Sequence, residues 1–196
     1  MCSSDLTPAK VSTPFWKKAT CPSGRTGEPP VTPLHYDDAL ILGILKAVRT
    51  IAMVGASPNW VRPSNFAMKY LQGKGYRIIP VNPGETGKKI LGETAYARLS
   101  DIPGQIDMVD VFRSSAAAGA IADEAIEAAK EKGIKVVWMQ LGVRDDAAAE
   151  RLEAAGLTVV MNRCPKIEYG RLFGELGWSG VNTGIISSKR RKLRVG

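Results

Sequence analysis

The sequence predicts an α/β protein with a Rossmann-like, doubly wound sheet of five parallel strands. Short runs of β-branched and other apolar residues alternate along the chain with segments whose apolar residues recur at helical spacing. Because short loops join these segments, each helix can cross over between two parallel strands. The five expected strands span residues 51–54, 76–81, 107–112, 135–139 and 157–161.

The expected helices are located by apolar spacing and by residues that begin or end helices. Ser64 or Asn65 is expected to cap the second helix and Asp145 the fourth, while Gly133 ends the third. The buried face of the alanine-rich third helix is expected to contain Ile121, Ala125, Ile126 and Ala129. The five helices are expected near residues 35–48, 65–73, 117–132, 145–155 and 166–176.

The net charge of the 196-residue chain, +8, is concentrated near its two ends. Residues 189–196 contribute +5 and residues 1–35 contribute +2, so residues 36–188 carry only +1. A basic folded body that binds nucleic acid is therefore not indicated. A solvated basic tail is the simplest interpretation, and weak binding of that tail to anionic polymers is the alternative.

Composition divides the chain into three parts. Residues 1–34 are rich in Pro, Ser, Thr and Gly and are expected to be a disordered leader, followed by the Rossmann-like domain over 35–180 and a basic tail over 181–196. The three cysteines and one histidine form neither a disulfide framework nor a metal-ligand pattern, which favours a reducing, cytoplasmic setting. The sequence contains no run of eighteen apolar residues that could span a membrane.

The first strand–helix–strand unit, residues 50–83, contains the turn at which α/β folds commonly hold ligands. This turn lacks the three spaced glycines of the nicotinamide fingerprint, and Asn82-Pro83 replaces the acid that would bind a ribose. It offers Gly55, the Ser57 hydroxyl, the Arg62 guanidinium and the N-terminus of a helix. A phosphorylated ligand other than NAD fits this chemistry, and a structural turn without a ligand is the alternative.

Further polar residues follow the other strands, and together these segments resemble a known family. From Ile51 to about Trp178 the chain resembles the stand-alone CoA-binding domain proteins, relatives of the nucleotide-binding domain of the succinyl-CoA synthetase α subunit. The chain departs from the family at Asn162, where aspartate is more frequent. The segments that carry the resemblance are VGAS at 54–57, RPS at 62–64, GYRIIPVNP at 75–83, LGE at 91–93, DIP at 101–103, VDVFR at 109–113, VWMQLGV at 137–143 and NRCPKIEYGRL at 162–172.

The resemblance implies a domain that binds coenzyme A (CoA) or an acyl-CoA across the strand ends. The residues implied to hold the pyrophosphate are Gly55, Ala56, Ser57 and Arg62. Those implied at the adenosine portion and its ribose phosphate are Asn82, Pro83, Lys88 or Lys89, Phe112, Arg113 and Ser114. Those implied along the pantetheine arm are Gln140, Leu141, Gly142, Asn162, Arg163 and Cys164.

The resemblance also implies binding without catalysis. The synthetase relatives act through a phosphorylated histidine and a second domain, whereas His35 precedes the expected fold. The expected role is therefore regulatory, or protective of CoA against oxidation; an NAD(P)-binding oxidoreductase or redox sensor with the same fold is the alternative. Cys164 has two interpretations: a thiol of depressed pKa that forms a mixed disulfide with CoA, or a small buried residue.

Overall fold

The structure is a computed structural model that describes residues 34–175. The leader over 1–34, apart from its last residue, and the tail over 181–196 lie outside the described part, so their limits stay predictions. The described elements are α1 (Asp38–Ala47), β1 (Thr50–Val54), α2 (Pro63–Gly73), β2 (Arg77–Val81), β3 (Lys89–Ile90), β4 (Glu93–Thr94), β5 (Met108–Val111), α3 (Ser115–Lys132), β6 (Val136–Met139), α4 (Asp146–Ala154), β7 (Thr158–Val160) and α5 (Pro165–Leu172).

The main sheet consists of five parallel strands in the order β2–β1–β5–β6–β7, which confirms the predicted fold class. The chain leaves β1 toward β2 on one side and later returns to β5 on the other, so the strand order reverses between β1 and β5. Right-handed crossovers then place α2 on one face of the sheet and α3 and α4 on the other. Helix α5 packs against α1 and α2, and α3 packs against α4. Ligands bind at such reversals in open α/β sheets.

The central strands are apolar without alternation because helices cover both faces of the sheet. In β1, Ile51, Ala52 and Met53 are fully buried. Helix α3 ends at Gly133, which adopts the expected left-handed conformation and donates its N–H to Ala129 O.

The buried face of α3 is only partly as expected. Ile121 and Ala125 are buried, but Ile126 and Ala129 are half-exposed. The small side chains of Ala118, Ala122 and Ala128 lie against the core instead. The expectation was wrong at two positions because alanines lie on almost every side of this helix, so apolarity does not single out one stripe.

Helix α2 begins earlier than expected. Pro63 is its first residue and Arg62 its N-cap, so neither Ser64 nor Asn65 has the predicted capping role. Proline suits the first helical position because that position needs no N–H donor. The prediction for α4 is confirmed: the Asp145 side chain accepts a hydrogen bond of 2.9 Å from Ala148 N.

A small antiparallel hairpin, β3–β4, was not predicted from the sequence. Its turn is formed by Leu91 and Gly92, both with positive φ. The following Tyr96 makes a bridge to Val81 at the end of β2, so this segment packs on the sheet edge. No helix within residues 34–175 is both long and apolar enough to cross a membrane.

Candidate functional site

A cleft of about 590 Å³ lies between the carboxyl ends of β5, β6 and β7 and the start of α2. The predicted first-turn residues Gly55, Ala56 and Ser57 do not line it. Its volume is in the range of small-molecule sites, and apolar side chains predominate in its lining. Five of the predicted site residues contribute to it, from the ends of β5, β6 and β7. The lining residues are Val61, Pro63, Phe66, Ala67, Phe112, Arg113, Gln140, Leu141, Val143, Cys164, Lys166 and Ile167.

Gly55 brings the first turn against the end of β5. Its φ is +91°, and a Cβ placed on it would lie 2.4 Å from Phe112 O and 3.2 Å from Arg113 Cδ. The Gly55 N–H donates to Val81 O at 2.8 Å. Only glycine fits here, because both the backbone conformation and the available space exclude a side chain. The turn is thereby placed beside Arg113 at the strand-order reversal.

Two asparagine amides hold the rest of this turn. Asn82 Nδ2 donates to the carbonyl of the buried Ala56 at 2.8 Å. Asn65 Nδ2 donates to Ser57 O at 3.0 Å, and Ser57 Oγ accepts from Asn59 N at 3.2 Å. The predicted residue Asn82 therefore has a structural contact that fixes the turn, and Asn65, which was predicted only as a cap, has a second one.

The two arginines predicted to contact the ligand lie in different surroundings. Arg113 lines the cleft, and its side chain lies next to Gly55. Arg62 is exposed at the start of α2 and does not line the cleft. The structure thus brings together Gly55 and Arg113, which were predicted for different parts of the ligand.

The predicted residues after β2 lie outside the cleft. Pro83 begins a short 3₁₀ helix, Pro83–Glu85, and is exposed. Lys88 Nζ forms an ion pair with Glu85 at 3.0 Å, and Lys89 is an exposed residue of β3. These lysines remain on the β2 side of the first turn.

The loops after β6 and β7 are tied together by Asn162. Its Oδ1 accepts from Gly142 N at 2.8 Å, and its φ is +53°, a left-handed conformation that asparagine adopts more readily than most residues. The next residue, Arg163, accepts at its carbonyl from Trp138 Nε1 at 2.8 Å, and its guanidinium lies 3.6 Å from Glu168. These contacts give Asn162 and Arg163 positioning roles. At the end of β5, Ser114 is the N-cap of α3.

Cys164 lines the cleft but is 9% exposed. Burial raises the pKa of its thiol, and this effect outweighs the backbone N–H donors of Ile167 and Lys166 that lower it. The expectation of a depressed pKa was therefore wrong. Burial destabilises the thiolate more than the backbone N–H groups at the start of α5 stabilise it. The thiol is protonated at neutral pH.

Asp110 is a buried carboxyl that sequence analysis missed as a functional residue. Its Oδ1 accepts from Gln140 Nε2 at 2.8 Å, and its Oδ2 has no hydrogen-bond partner in the described part of the chain. Burial raises its pKa from 3.8 to about 7, although the hydrogen bond from Gln140 lowers it. The available signal was an acid in the middle of an otherwise apolar strand, Met108–Val111.

Sequence analysis also missed the apolar wall that α2 and α5 contribute. Phe66 is half exposed on α2, Val61 precedes that helix, and Ile167 lies in the first turn of α5. An exposed apolar face beside the Gly55 turn was the signal that could have found them. Among residues 34–175, no group of three or more His, Cys, Asp or Glu side chains could hold a metal ion.

The cleft combines an arginine with an apolar wall, and the Gly55 turn lies beside that arginine, an arrangement that suits an anionic ligand with a long neutral arm. The family model for the CoA binding domain matches residues 49–170. The uncharacterized protein YneT of Bacillus subtilis (strain 168) is 38% identical over 131 residues, covering 67% of this chain and 93% of YneT.

Two solved structures extend the comparison. A hypothetical protein from Pyrococcus horikoshii OT3 is 38% identical with a TM-score of 0.65, covering 76% of this chain and 100% of its own. A protein from Thermus thermophilus is 35% identical with a TM-score of 0.65, covering 70% of this chain and 100% of its own. With a family model matched over more than half of its length, the chain belongs to the CoA binding domain family.

Proposed function

We propose that the protein binds CoA or an acyl-CoA in the cleft at the strand ends, and that it does so without catalysing a reaction on it. The observation that carries the proposal is the meeting of Gly55 and Arg113 at the strand-order reversal, at one end of an apolar cleft. A diphosphate needs backbone N–H groups and a cation, and the pantetheine arm needs a long and mainly apolar channel.

The phosphate end of the ligand is assigned to the first turn. The absence of a side chain at Gly55 lets the first turn approach the end of β5 closely, which places the turn beside Arg113. The Arg113 guanidinium beside this turn can form charge-assisted hydrogen bonds with phosphate oxygens. The exposed Arg62, at the N-terminus of α2, supplies a second cation near the turn.

The pantetheine arm is assigned to the part of the cleft between the ends of β6 and β7. Gln140, Leu141 and Cys164 line this part, and Asn162 fixes its outer loop through Gly142 N. Phe66 and Ile167 supply apolar surface facing the arm. A ligand thiol or thioester would end near Cys164.

Binding without catalysis follows from the groups that line the cleft. Cys164 and Lys166 are the side chains among them that could act as nucleophiles, and burial keeps the Cys164 thiol protonated. A protonated thiol is a poor nucleophile, and within residues 34–175 no histidine lines the cleft to act as a base. For the same reason, a mixed disulfide between Cys164 and CoA is expected to form slowly.

Isothermal titration calorimetry with CoA, acetyl-CoA, NAD and NADP tests the assignment. We expect binding of CoA or its thioester and none of the dinucleotides, because β2 ends in Asn82 without an acid to bond a dinucleotide ribose. Tight binding of NAD or NADP with no response to CoA would replace this proposal with the oxidoreductase alternative.

A matched pair of variants locates the site. Arg113→Ala is expected to weaken CoA binding about tenfold or more, because a charge-assisted contact with phosphate is lost. Arg98→Ala removes an arginine outside the cleft and is expected to leave the affinity unchanged. Equal affinities of the two variants would place the ligand elsewhere.

Protection of CoA against oxidation is tested separately by incubation with CoA disulfide and measurement of the intact mass. Exchange would release one CoA thiol and leave the other CoA on Cys164. An adduct that forms readily and is lost in Cys164→Ser would support a protective role in spite of the raised pKa. Without an adduct, reversible binding remains the function.

A further inference from the structure

The amide of Gln140 has a defined orientation because of the carboxyl beneath it. Gln140 is 6% exposed and lines the cleft, and its Nε2 donates to Asp110 Oδ1 at 2.8 Å. An ionised carboxylate only accepts hydrogen bonds. While Asp110 is ionised, Gln140 must therefore turn its Nε2 toward Asp110, and its Oε1 becomes the atom available to a ligand.

Asp110 is placed to control Gln140 without touching the ligand itself. Side chains alternate along a strand, so Asp110 lies on the same face of β5 as Phe112, which lines the cleft. Asp110 is fully buried, and its Oδ2 has no partner within the described residues. A buried carboxyl with one oxygen that lacks a hydrogen bond destabilises the folded protein. Such a group calls for an explanation, and a functional role is one.

We propose that Asp110 is a positioning residue that selects ligands with a pantetheine arm, by holding Gln140 so that its Oε1 accepts a hydrogen bond from an amide N–H of that arm. This inference rests on the proposed function and extends it to ligand selection. CoA contains amide donors in its pantetheine arm, whereas its nucleotide half, 3′-phospho-ADP, lacks that arm. Asp110 therefore distinguishes the two molecules without a contact to either.

The proposal includes a dependence on pH. A protonated Asp110 can donate to Gln140 Oε1, so the amide can turn over and present Nε2 to the ligand instead. Since burial raises the pKa of Asp110 to about 7, both states occur near neutral pH. Lower pH should then weaken the interaction with the pantetheine arm specifically.

The groups around Asp110 do not provide a competing switch. In the sheet, Asp110 pairs with Met53 of β1 and Trp138 of β6, neither of which titrates. The buried residues of α2 carry no charge. From the β7–α5 loop, the Cys164 thiol interacts electrostatically with Asp110, and its raised pKa keeps it neutral.

Fixed charges nearby belong to the cleft and to α5. Arg113 and Lys166 are the basic side chains that line the cleft. On α5, the buried Glu168 is paired with Arg171 at 2.8 Å. The phosphates of CoA could also shift the titration of Asp110. Because the terminal phosphate of 3′-phospho-ADP is a monoester that titrates at about pH 6, whereas in CoA it is esterified, the pH dependence of the wild type is compared with that of Asp110→Asn.

The test compares the affinities of CoA and 3′-phospho-ADP by calorimetry at about pH 6 and about pH 8, on either side of the Asp110 titration. The measured quantity is the ratio of the two affinities. For the wild type we expect the preference for CoA to be about three- to tenfold greater at the higher pH, the value of one hydrogen bond. For Asp110→Asn we expect a smaller preference, and a smaller change of that preference with pH than in the wild type.

Gln140→Met provides a second variant that keeps the side-chain length and removes the amide. It should reduce the preference for CoA as Asp110→Asn does, and the double variant should show no further loss, because both substitutions remove the same interaction. Thermal unfolding of each variant establishes that it is folded.

The outcomes separate this inference from the proposed function. If the wild type binds CoA but both variants keep its preference and pH profile, the role of Asp110 is overturned. The same holds if Asp110→Asn weakens CoA and 3′-phospho-ADP equally, since that indicates a structural role. If the wild type binds CoA at neither pH, the proposed function itself fails.

Discussion

Gly55 lies where the first turn passes closest to β5, and a substitution there tests how much the cleft depends on that approach. Gly55→Ala is expected to destabilise the protein by about 2–4 kcal/mol, because the new Cβ meets Phe112 O and the backbone has a positive φ. Urea denaturation measures the change in the free energy of unfolding.

The control for this substitution is Gly43→Ala. Gly43 lies in α1, and a Cβ placed on it has no heavy atom within 4 Å. We expect stabilisation by about 0.5–1 kcal/mol, because alanine favours a helix more than glycine does. If Gly55→Ala were also neutral or stabilising, the turn would not be constrained by β5.

Asp110 predicts a pH dependence of stability. Its pKa is raised from 3.8 to about 7 by burial, so between these values the folded protein holds a proton that the unfolded chain has released. Stability from this group is therefore lost as pH rises from about 4 to about 7. The free energy of unfolding of Asp110→Asn, relative to that of the wild type, is expected to increase by about 2–3 kcal/mol as the pH rises from about 5 to about 8.

Chemical denaturation of both proteins across this pH range measures the difference, which cancels the titration of groups that they share. A difference that stays constant across this range would mean that folding does not raise the pKa of Asp110.

Single residues show which parts of the site a sequence can predict. Gly55 could be predicted because a glycine directly after a short apolar strand is typical of a tight turn at the strand end. The contact of Arg113 with Gly55 could not be predicted, because it depends on which strands become neighbours. The burial of Asp110 against Gln140 joins residues 30 positions apart, so local pattern carries no information on it.

At the scale of elements, a buried tyrosine joins α1 to the start of β2. Tyr76 Oη donates to Leu45 O at 2.7 Å, near the C-terminus of α1, where carbonyls have no partner within the helix. Burial raises the pKa of Tyr76 to about 12, so the hydroxyl remains a donor at neutral pH. Tyr76→Phe is expected to cost about 1–2 kcal/mol in the free energy of unfolding.

Tyr96→Phe is the matched control, because Tyr96 is half-buried and its side-chain hydroxyl has no hydrogen bond among the described contacts. We expect its unfolding free energy to stay within about 0.5 kcal/mol of the wild type. Hydrogen exchange adds a second measurement, since the Tyr76 variant should lose protection in α1 first. Equal stability of both variants would show that water replaces Tyr76 at the Leu45 carbonyl.

The strands with a clear apolar pattern in the sequence were predicted correctly, whereas elements with a weak pattern were missed or misplaced. The five main strands were found because burial on both faces makes them continuously apolar. The β3–β4 hairpin was missed because two residues per strand cannot display a period of two. The α2 start was misplaced because Pro63 was taken as part of the turn, although proline favours the first position of a helix.

For the whole molecule, alternation along the sequence indicates a parallel sheet but does not determine the order of its strands. That order, β2–β1–β5–β6–β7, locates the reversal between β1 and β5 and thereby the cleft. The same topology keeps Lys88 and Pro83, beyond β2, away from the ends of β6 and β7. The sequence could therefore predict that the cleft lies at the carboxyl edge of the sheet. The residues that line it could be identified only from the three-dimensional structure.

The charge distribution of the whole chain gives the last prediction. Deletion of residues 189–196 lowers the net charge from +8 to +3, because this segment contributes +5. CoA affinity is expected to stay unchanged at physiological salt, where charges beyond about 8 Å from the ligand are screened. Elution from heparin should move to lower salt, since fewer cations contact the polymer. A full-length variant with the five basic residues replaced by serine should behave like the deletion. Should both variants lose CoA affinity by more than about threefold, the tail would take part in ligand binding, and its interpretation as an incidental solvated tail would be wrong.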